Sequence, residues 1–195
     1  TSAAINGVKE ATIVEGSTGT TSRTYYSDKA CTKKVTTATG ASKAGYAPSK
    51  IGVYYVKVTV KADKDYKAAT SNVCKVVIAP KQTAISAYNS ASGIYLYWDK
   101  VSVADGYRIY RREHGGTYER VYSTSKNTTL KWTDKNAKVG INYEYDVRPY
   151  KKASGTTIYA ITRTDDARKA KRHYDEIFGI SKEFTKHPHF PGKKI

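Results

Sequence analysis

The chain of 195 residues carries a formal net charge of +17 and holds 18 tyrosines against three phenylalanines and two tryptophans, with two cysteines and no methionine. No run of 18 or more apolar residues occurs, which excludes a membrane-spanning helix. The basic excess is spread along the chain, with no zinc-ligand spacing, aromatic RNA-binding signature or basic zipper, and so does not describe a sequence-specific nucleic-acid reader. A chain of this length accommodates one large core or two small ones, and aromatics that keep a polar tip for water suit thin β-sandwiches better than a large enzyme interior.

Strand candidates in the first segment, residues 1–79, are ATIVEG (11–16), RTYYS (23–27), the run 51–61 and the run 72–78, separated by Gly-, Ser- and Thr-rich turns. In the most regular of them Tyr54, Val56, Val58 and Val60 alternate with Tyr55, Lys57, Thr59 and Lys61, the pattern of a half-buried antiparallel strand. After the turn ADKD the chain returns as SNVCKVVI, which places Cys74 on the face of Val76 and Ile78 and predicts that its thiol points inward. Cys31 and Cys74 match no metal motif, and one bond between them inside a small sandwich is the economical reading. It would close a loop of about 43 residues, add roughly 3–4 kcal/mol and imply an oxidising, extracellular setting. The alternative is two buried free thiols.

Within YYSDKACTKK and AGYAPSKIGVYYVKVTVKADKDYKAATSNVCKVVI, the residues Ala47, Pro48, Gly52, Tyr54, Tyr55, Val56 and Lys57, then Asp63, Tyr66, Ala68, Thr70 and Ser71, resemble the small immunoglobulin-like repeats of Gram-positive surface proteins. The junction IAPKQTAIS, 78–86, follows, with Pro80 ending the last strand of the segment.

The second segment, 80–164, carries IYLYWDKVSVADGYRIYRR, with Leu96 and Trp98 on one strand face, Tyr107 and Ile109 on the next strand, and Ala104, Asp105 and Gly106 turning between them. AKVGINYEYDVRPY then aligns Gly140, Tyr143, Tyr145 and Val147, TTLKWTD adds Leu130 and Trp132, and TTIYAIT supplies a last strand. These residues resemble a fibronectin type III domain, although Ala137 and Val139 stand where that family often has leucine and proline. The resemblance implies structural roles for Trp98, Tyr107, Trp132 and Gly140, and a corner at Tyr143 whose hydroxyl bonds back to the upstream backbone.

The final segment, 165–195, breaks the alternation. DDARKAKRHYDEIFGI has an acidic start, helix-favouring residues and Gly179 as a stop, with Tyr174, Ile177 and Phe178 available for packing; KEFTKHPHFPGKKI then reads as extended. The expected fold is therefore all-β: two tandem immunoglobulin-like and fibronectin type III-like β-sandwiches with a short C-terminal helical or extended tail.

No GxSxG, Walker loop, HExxH or CxxC occurs, so neither a catalytic centre nor a cofactor is expected. His173, His187 and His189 lie in the tail without acidic or cysteine support and read as solvated rather than as metal ligands. The exposed aromatics are the binding candidates: Tyr95 and Tyr97 around Leu96, with Tyr110 and Tyr122 on neighbouring strands and Arg108 and Arg112 among them, a Tyr and Arg composition typical of protein-binding hot spots and able to stack on sugars. The competing reading is ordinary cross-strand pairing of tyrosines.

Together these features predict a non-catalytic, monomeric piece of a longer secreted or wall-attached bacterial surface protein, acting in adhesion or as a spacer. Its expected partners are a host or cell-surface protein or glycan, or an anionic cell-wall polymer met by the spread lysines. The alternatives are a carbohydrate-binding or accessory appendage of a secreted enzyme, and a stalk preceding a C-terminal toxin.

Overall fold

The computed structural model describes residue 15, residues 17–36 and 47–161, and the backbone of 168–171. The expected strand at 11–16 and the tail residues His173, Tyr174, Ile177, Phe178, Gly179, His187 and His189 lie outside the described residues. Within them the protein is all-β, with twelve strands and no helix, arranged in three antiparallel sheets.

The first sheet has four strands: β1 (Thr21–Tyr26), β2 (Gly52–Val60), β3 (Ala69–Thr70) and β4 (Cys74–Ile78). β2 lies at its centre, opposing Tyr25 of β1 with Val56 and Val76 of β4 with Tyr54. Period-two alternation turns Tyr25, Tyr54, Val56, Val76 and Ile78 to one side, where they form a buried cluster with Val35. Val35 is fixed there by its own amide, which donates to the Tyr25 carbonyl at 2.8 Å.

The cysteines depart from expectation. Both are free, Cys31 half-buried and Cys74 exposed. Alternation does put Cys74 on the side of Val76 and Ile78, but it is the first residue of β4, at the rim of the apolar patch, so direction does not translate into depth. Cys31 sits in a turn with φ of 58°, where the Asp28 carboxylate accepts the amides of Thr32 and Lys33 at 3.1 and 2.7 Å. Those bonds, that of Lys33 foremost, hold the Asp28 carboxyl below its ordinary range. Both thiols of the native protein are therefore expected to react with a thiol reagent without denaturant or reductant; a protein that releases thiols only after reduction would contradict this arrangement.

A second carboxylate clasps the start of the described chain. Asp63 accepts the Ser17 hydroxyl at 2.8 Å and the Thr18 and Gly19 amides at 2.8 and 3.0 Å through one oxygen, and the Asp65 and Tyr66 amides at 3.0 and 2.8 Å through the other. These bonds, led by the one from Ser17, lower its pKa to about 2. A carboxylate with a depressed folded pKa stabilises above its unfolded value of about 3.8 and loses that contribution as pH falls towards 2. The Thr18, Gly19, Asp65 and Tyr66 amide resonances should accordingly titrate together with a midpoint near 2; a midpoint near 3.8 would show that the clasp does not hold.

The remaining strands are β5 (Ile85–Ser90), β6 (Gly93–Trp98), β7 (Gly106–Glu113), β8 (Glu119–Thr124), β9 (Lys131–Asp134), β10 (Asn142–Ala153), β11 (Thr156–Tyr159) and β12 (Arg168–Lys171). Strands β5, β6 and β9 form a three-stranded sheet; β11, β10, β7 and β8 form a second in that order, with β12 also paired to β10. A helix was expected across 168–171. Instead this run is a strand, because its backbone finds partners along Asn142–Tyr145 of β10, and a ladder of inter-strand hydrogen bonds outweighs the modest helix preference of Ala, Arg and Lys.

By compactness the chain divides into two units, 1–82 with 101–107 and 149–161, and 83–100 with 108–148 and 162–195. In the first unit the Val53 amide donates to the Ser154 hydroxyl at 3.1 Å, so the β10–β11 turn is grouped with the first sheet. Asp105 accepts Lys151 Nζ at 2.5 Å and the Lys152 amide at 2.8 Å, and the Tyr107 hydroxyl accepts the Val101 amide at 2.9 Å.

In the second unit the two sheets face one another. Ile94, Leu96 and Trp98 of β6 point inward with Ile109 of β7 and Tyr145 and Val147 of β10, all fully buried. The Tyr145 hydroxyl donates to Asp134 at 2.8 Å across the layers, and Tyr122 of β8 stacks on Trp132 of β9 with ring centroids 5.2 Å apart. The Tyr143 hydroxyl accepts the Lys138 amide at 3.2 Å, closing the turn that Gly140 enters with φ of 85°.

Candidate functional site

Alternation decides which side chains of the second unit reach its surface. On β7, Ile109 and Arg111 turn inward, leaving Arg108, Tyr110 and Arg112 on the outer face of the larger sheet. On β10, Tyr143, Tyr145 and Val147 turn inward, which puts Glu144, Asp146 and Arg148 on that same outer face. The result is a patch of paired opposite charges, across strands for Arg112 and Glu144 and along β10 for Arg148 and Asp146, rather than an open basic surface.

Arg112 and Arg148 each have a carboxylate partner on this face. Glu144 accepts Arg112 Nε and Nη2 through one oxygen at 2.8 and 2.6 Å, and pairs with His114 Nδ1 through the other at 2.9 Å. The Arg112 guanidinium lies 4.5 Å from the Tyr118 ring centroid. One step along, Arg148 Nε donates to Asp146 at 2.5 Å while its guanidinium lies 4.5 Å over Tyr110. The bonds from His114 and then Arg112 hold the Glu144 carboxyl below its usual range despite burial, and the same pairing raises Arg112. Burial pushes the Tyr118 phenol up.

Inside the sandwich a parallel arrangement links the layers. Arg111 donates to Asp134 at 2.9 Å and to Glu119 at 2.5 Å, with its guanidinium 5.0 Å from the Tyr143 ring centroid. Burial alone would lower Arg111, but these two carboxylates outweigh it and the net shift is upward. Tyr145 is pushed up, by burial first and by its bond to Asp134 second.

The six binding candidates thus do not share one surface. Arg108, Tyr110 and Arg112 occupy the outer face of the larger sheet, and Tyr122 faces Trp132. Tyr95 and Tyr97 lie on the outer face of the three-stranded sheet, since their β6 neighbours Ile94, Leu96 and Trp98 are the buried ones. The two outer faces of a sandwich point away from each other, so Tyr95 and Tyr97 cannot join the arginines in one contact.

Sequence reading missed Asp134, Glu144 and Asp146, all buried carboxylates. Their signal was present: Leu130, Trp132 and Asp134 alternate on β9 and its approach, and Glu144 and Asp146 alternate within a strand otherwise made of tyrosine and valine, against the row RIYRR. Among the described residues no group of three or more His, Cys, Asp or Glu is placed to hold a metal ion. No protein-family model matches the chain, and no curated protein matches it.

Proposed function

We propose that this chain is a non-catalytic module of a secreted or wall-attached bacterial surface protein, acting in adhesion or as a spacer within a longer polypeptide. The observation that carries this reading is how the charged groups of the second unit are used. Glu144, Asp146 and Asp134 are each bonded to an arginine, and the Glu144 and Asp134 pairs join different strands, so the side chains that gather there brace the fold instead of converging on a substrate. General acid–base or nucleophilic chemistry needs a group poised to exchange a proton near neutral pH, whereas Glu144 is held ionised by its partners. The all-β architecture and the resemblance of residues 20–79 and 80–164 to immunoglobulin-like and fibronectin type III-like repeats support the same reading.

Protease shaving of intact cells of the source organism tests it. Peptides of this chain should be released while cytosolic markers remain inside. Recovery of the protein only after lysis, with the wall fraction empty of it, would overturn the surface assignment.

A further inference from the structure

The outer face of the three-stranded sheet differs in composition from the outer face of the larger sheet. Register brings Tyr88 of β5 opposite Tyr95 of β6, and Tyr95 opposite Thr133 of β9; Tyr97 lies beside Lys131. Tyr88 and Tyr95 have ring centroids 6.5 Å apart with planes inclined by 33°. Tyr97 follows Tyr95 at the next outward position, about 6.6 Å along the strand, and is 37 % exposed. No position that faces outward on these three strands is acidic, and Lys131 is the one cation among them. The opposite face of the sandwich, by contrast, is built from ion pairs.

We propose that Tyr88, Tyr95 and Tyr97, flanked by Thr133 and Lys131, form a platform that binds a neutral polysaccharide. This rests on the surface-module reading and names the ligand class that such a module would take. Aromatic faces carry negative quadrupoles, and the C–H groups of a sugar ring are polarised positive by the oxygens beside them, so the two stack. The phenol hydroxyls of Tyr95 and Tyr97 and the Thr133 hydroxyl can each donate and accept hydrogen bonds with sugar hydroxyls. Sheet pairing sets Tyr88 across from Tyr95 and Tyr97 next along β6 before any ligand arrives, which reduces the ordering cost of binding.

Charge separates a neutral polysaccharide from the other occupants. An anionic polymer would follow the many lysines and arginines spread over the chain, and a face with one cation offers it little. A protein hot spot combines such tyrosines with arginine, and no arginine faces outward on these three strands.

Native affinity electrophoresis of the purified chain, run towards the cathode through gels holding hydroxyethylcellulose, xylan, galactomannan or polygalacturonate, tests the proposal. At least one neutral polysaccharide should retard the protein, and retardation should persist near about 1 M salt, where the screening length is only about 3 Å. Tyr95→Ala and Tyr97→Ala should each weaken it by about tenfold or more. Tyr97→Phe keeps the ring and should stay within about threefold of the native protein. Tyr110→Ala, on the other sheet, should not change it. Tyr97 is already partly exposed, so its variants should fold, and thermal unfolding of each variant checks this.

The proposal is overturned if no neutral polysaccharide retards the chain, if only polygalacturonate does so in low salt, or if the folded alanine variants migrate like the native protein. The surface reading fails separately. Wall binding that survives Tyr97→Ala would remove this platform and leave the module, whereas a protein that never reaches the cell surface would remove the module while retardation of the purified chain still stood.

Discussion

Replacing Asp134 by alanine should destabilise the second unit by about 3–5 kcal/mol, the range found when one member of a buried ion pair is removed. Asp134 closes β9 and is 1 % exposed. Its carboxylate accepts Arg111 at 2.9 Å, the Tyr145 hydroxyl at 2.8 Å and the Asn136 amide at 3.1 Å. Alanine would leave a buried phenol without that acceptor and a guanidinium held only by the exposed Glu119. The penalty comes mainly from these deserted partners rather than from lost attraction, because the desolvation of the pair has already been incurred in folding. Tyr145→Phe removes one partner together with its bond and should cost only about 1 kcal/mol. In the double variant Asp134→Ala with Tyr145→Phe, the combined loss should fall short of the sum, since the stranded hydroxyl is gone. Urea unfolding of the four proteins measures both quantities. A loss below about 1 kcal/mol for Asp134→Ala, or strict additivity, would mean that Asp134 does not hold the layers together.

Gly93→Ala is expected to cost about 2–5 kcal/mol, combining backbone strain with overpacking. Gly93 opens β6 with φ of 141°, a conformation that side chains rarely adopt. A Cβ there would stand 2.2 Å from the Asp134 carbonyl oxygen, 2.8 Å from its carbon and 3.0 Å from Lys135 Cα. All three are backbone atoms of the neighbouring strand and its exit, so no side chain can swing aside to admit the methyl group. Relief would require β9 to shift, and with it the carboxylate bonded to Arg111 and Tyr145. Gly115→Ala is the matched control: φ there is also positive, at 82°, but open space surrounds the added carbon. It should cost about 1 kcal/mol. Thermal or urea unfolding of both variants decides the matter, and equal losses would show that the close approach of Asp134 to Gly93 is not the cause.

These two expectations meet at a place that the sequence barely advertises. Period-two alternation in GVYYVKVTV, GIYLYW, GYRIYRR and NYEYDV told which side chains share a side, and Tyr54, Val56, Leu96, Trp98, Ile109, Tyr145 and Val147 are all buried accordingly. Val58 and Val60 follow the same alternation yet are only half-buried, and Cys74 is exposed. Alternation reports direction, which is a property of the single strand. Depth depends on what lies above the strand, and that is supplied by residues far away in the chain.

The same distinction governs the candidate site. A Tyr and Arg composition was legible along β6, β7 and β8, but its division between two opposed faces was not, because it depends on which sheet each strand joins. The neutralisation of Arg112 rests on β10 lying beside β7, which brings up Glu144 from 32 residues away. Residues 168–171 show the limit most plainly: their composition favours a helix, and pairing with Asn142–Tyr145 makes them a strand.

By itself, then, the sequence determined an all-β chain, the facing of most of its strand residues and the positions of its aromatic rows, all of which follow from local backbone geometry and side-chain polarity. Only the tertiary structure decided that the cysteines stand free, that Arg111 and Arg112 of β7 are tied to buried carboxylates, and that Tyr88, Tyr95 and Tyr97 share a sheet face whose outward strand positions hold no acid. The physical reason is that hydrogen bonds between strands, and the burial they produce, join residues whose separation along the chain carries no local signal.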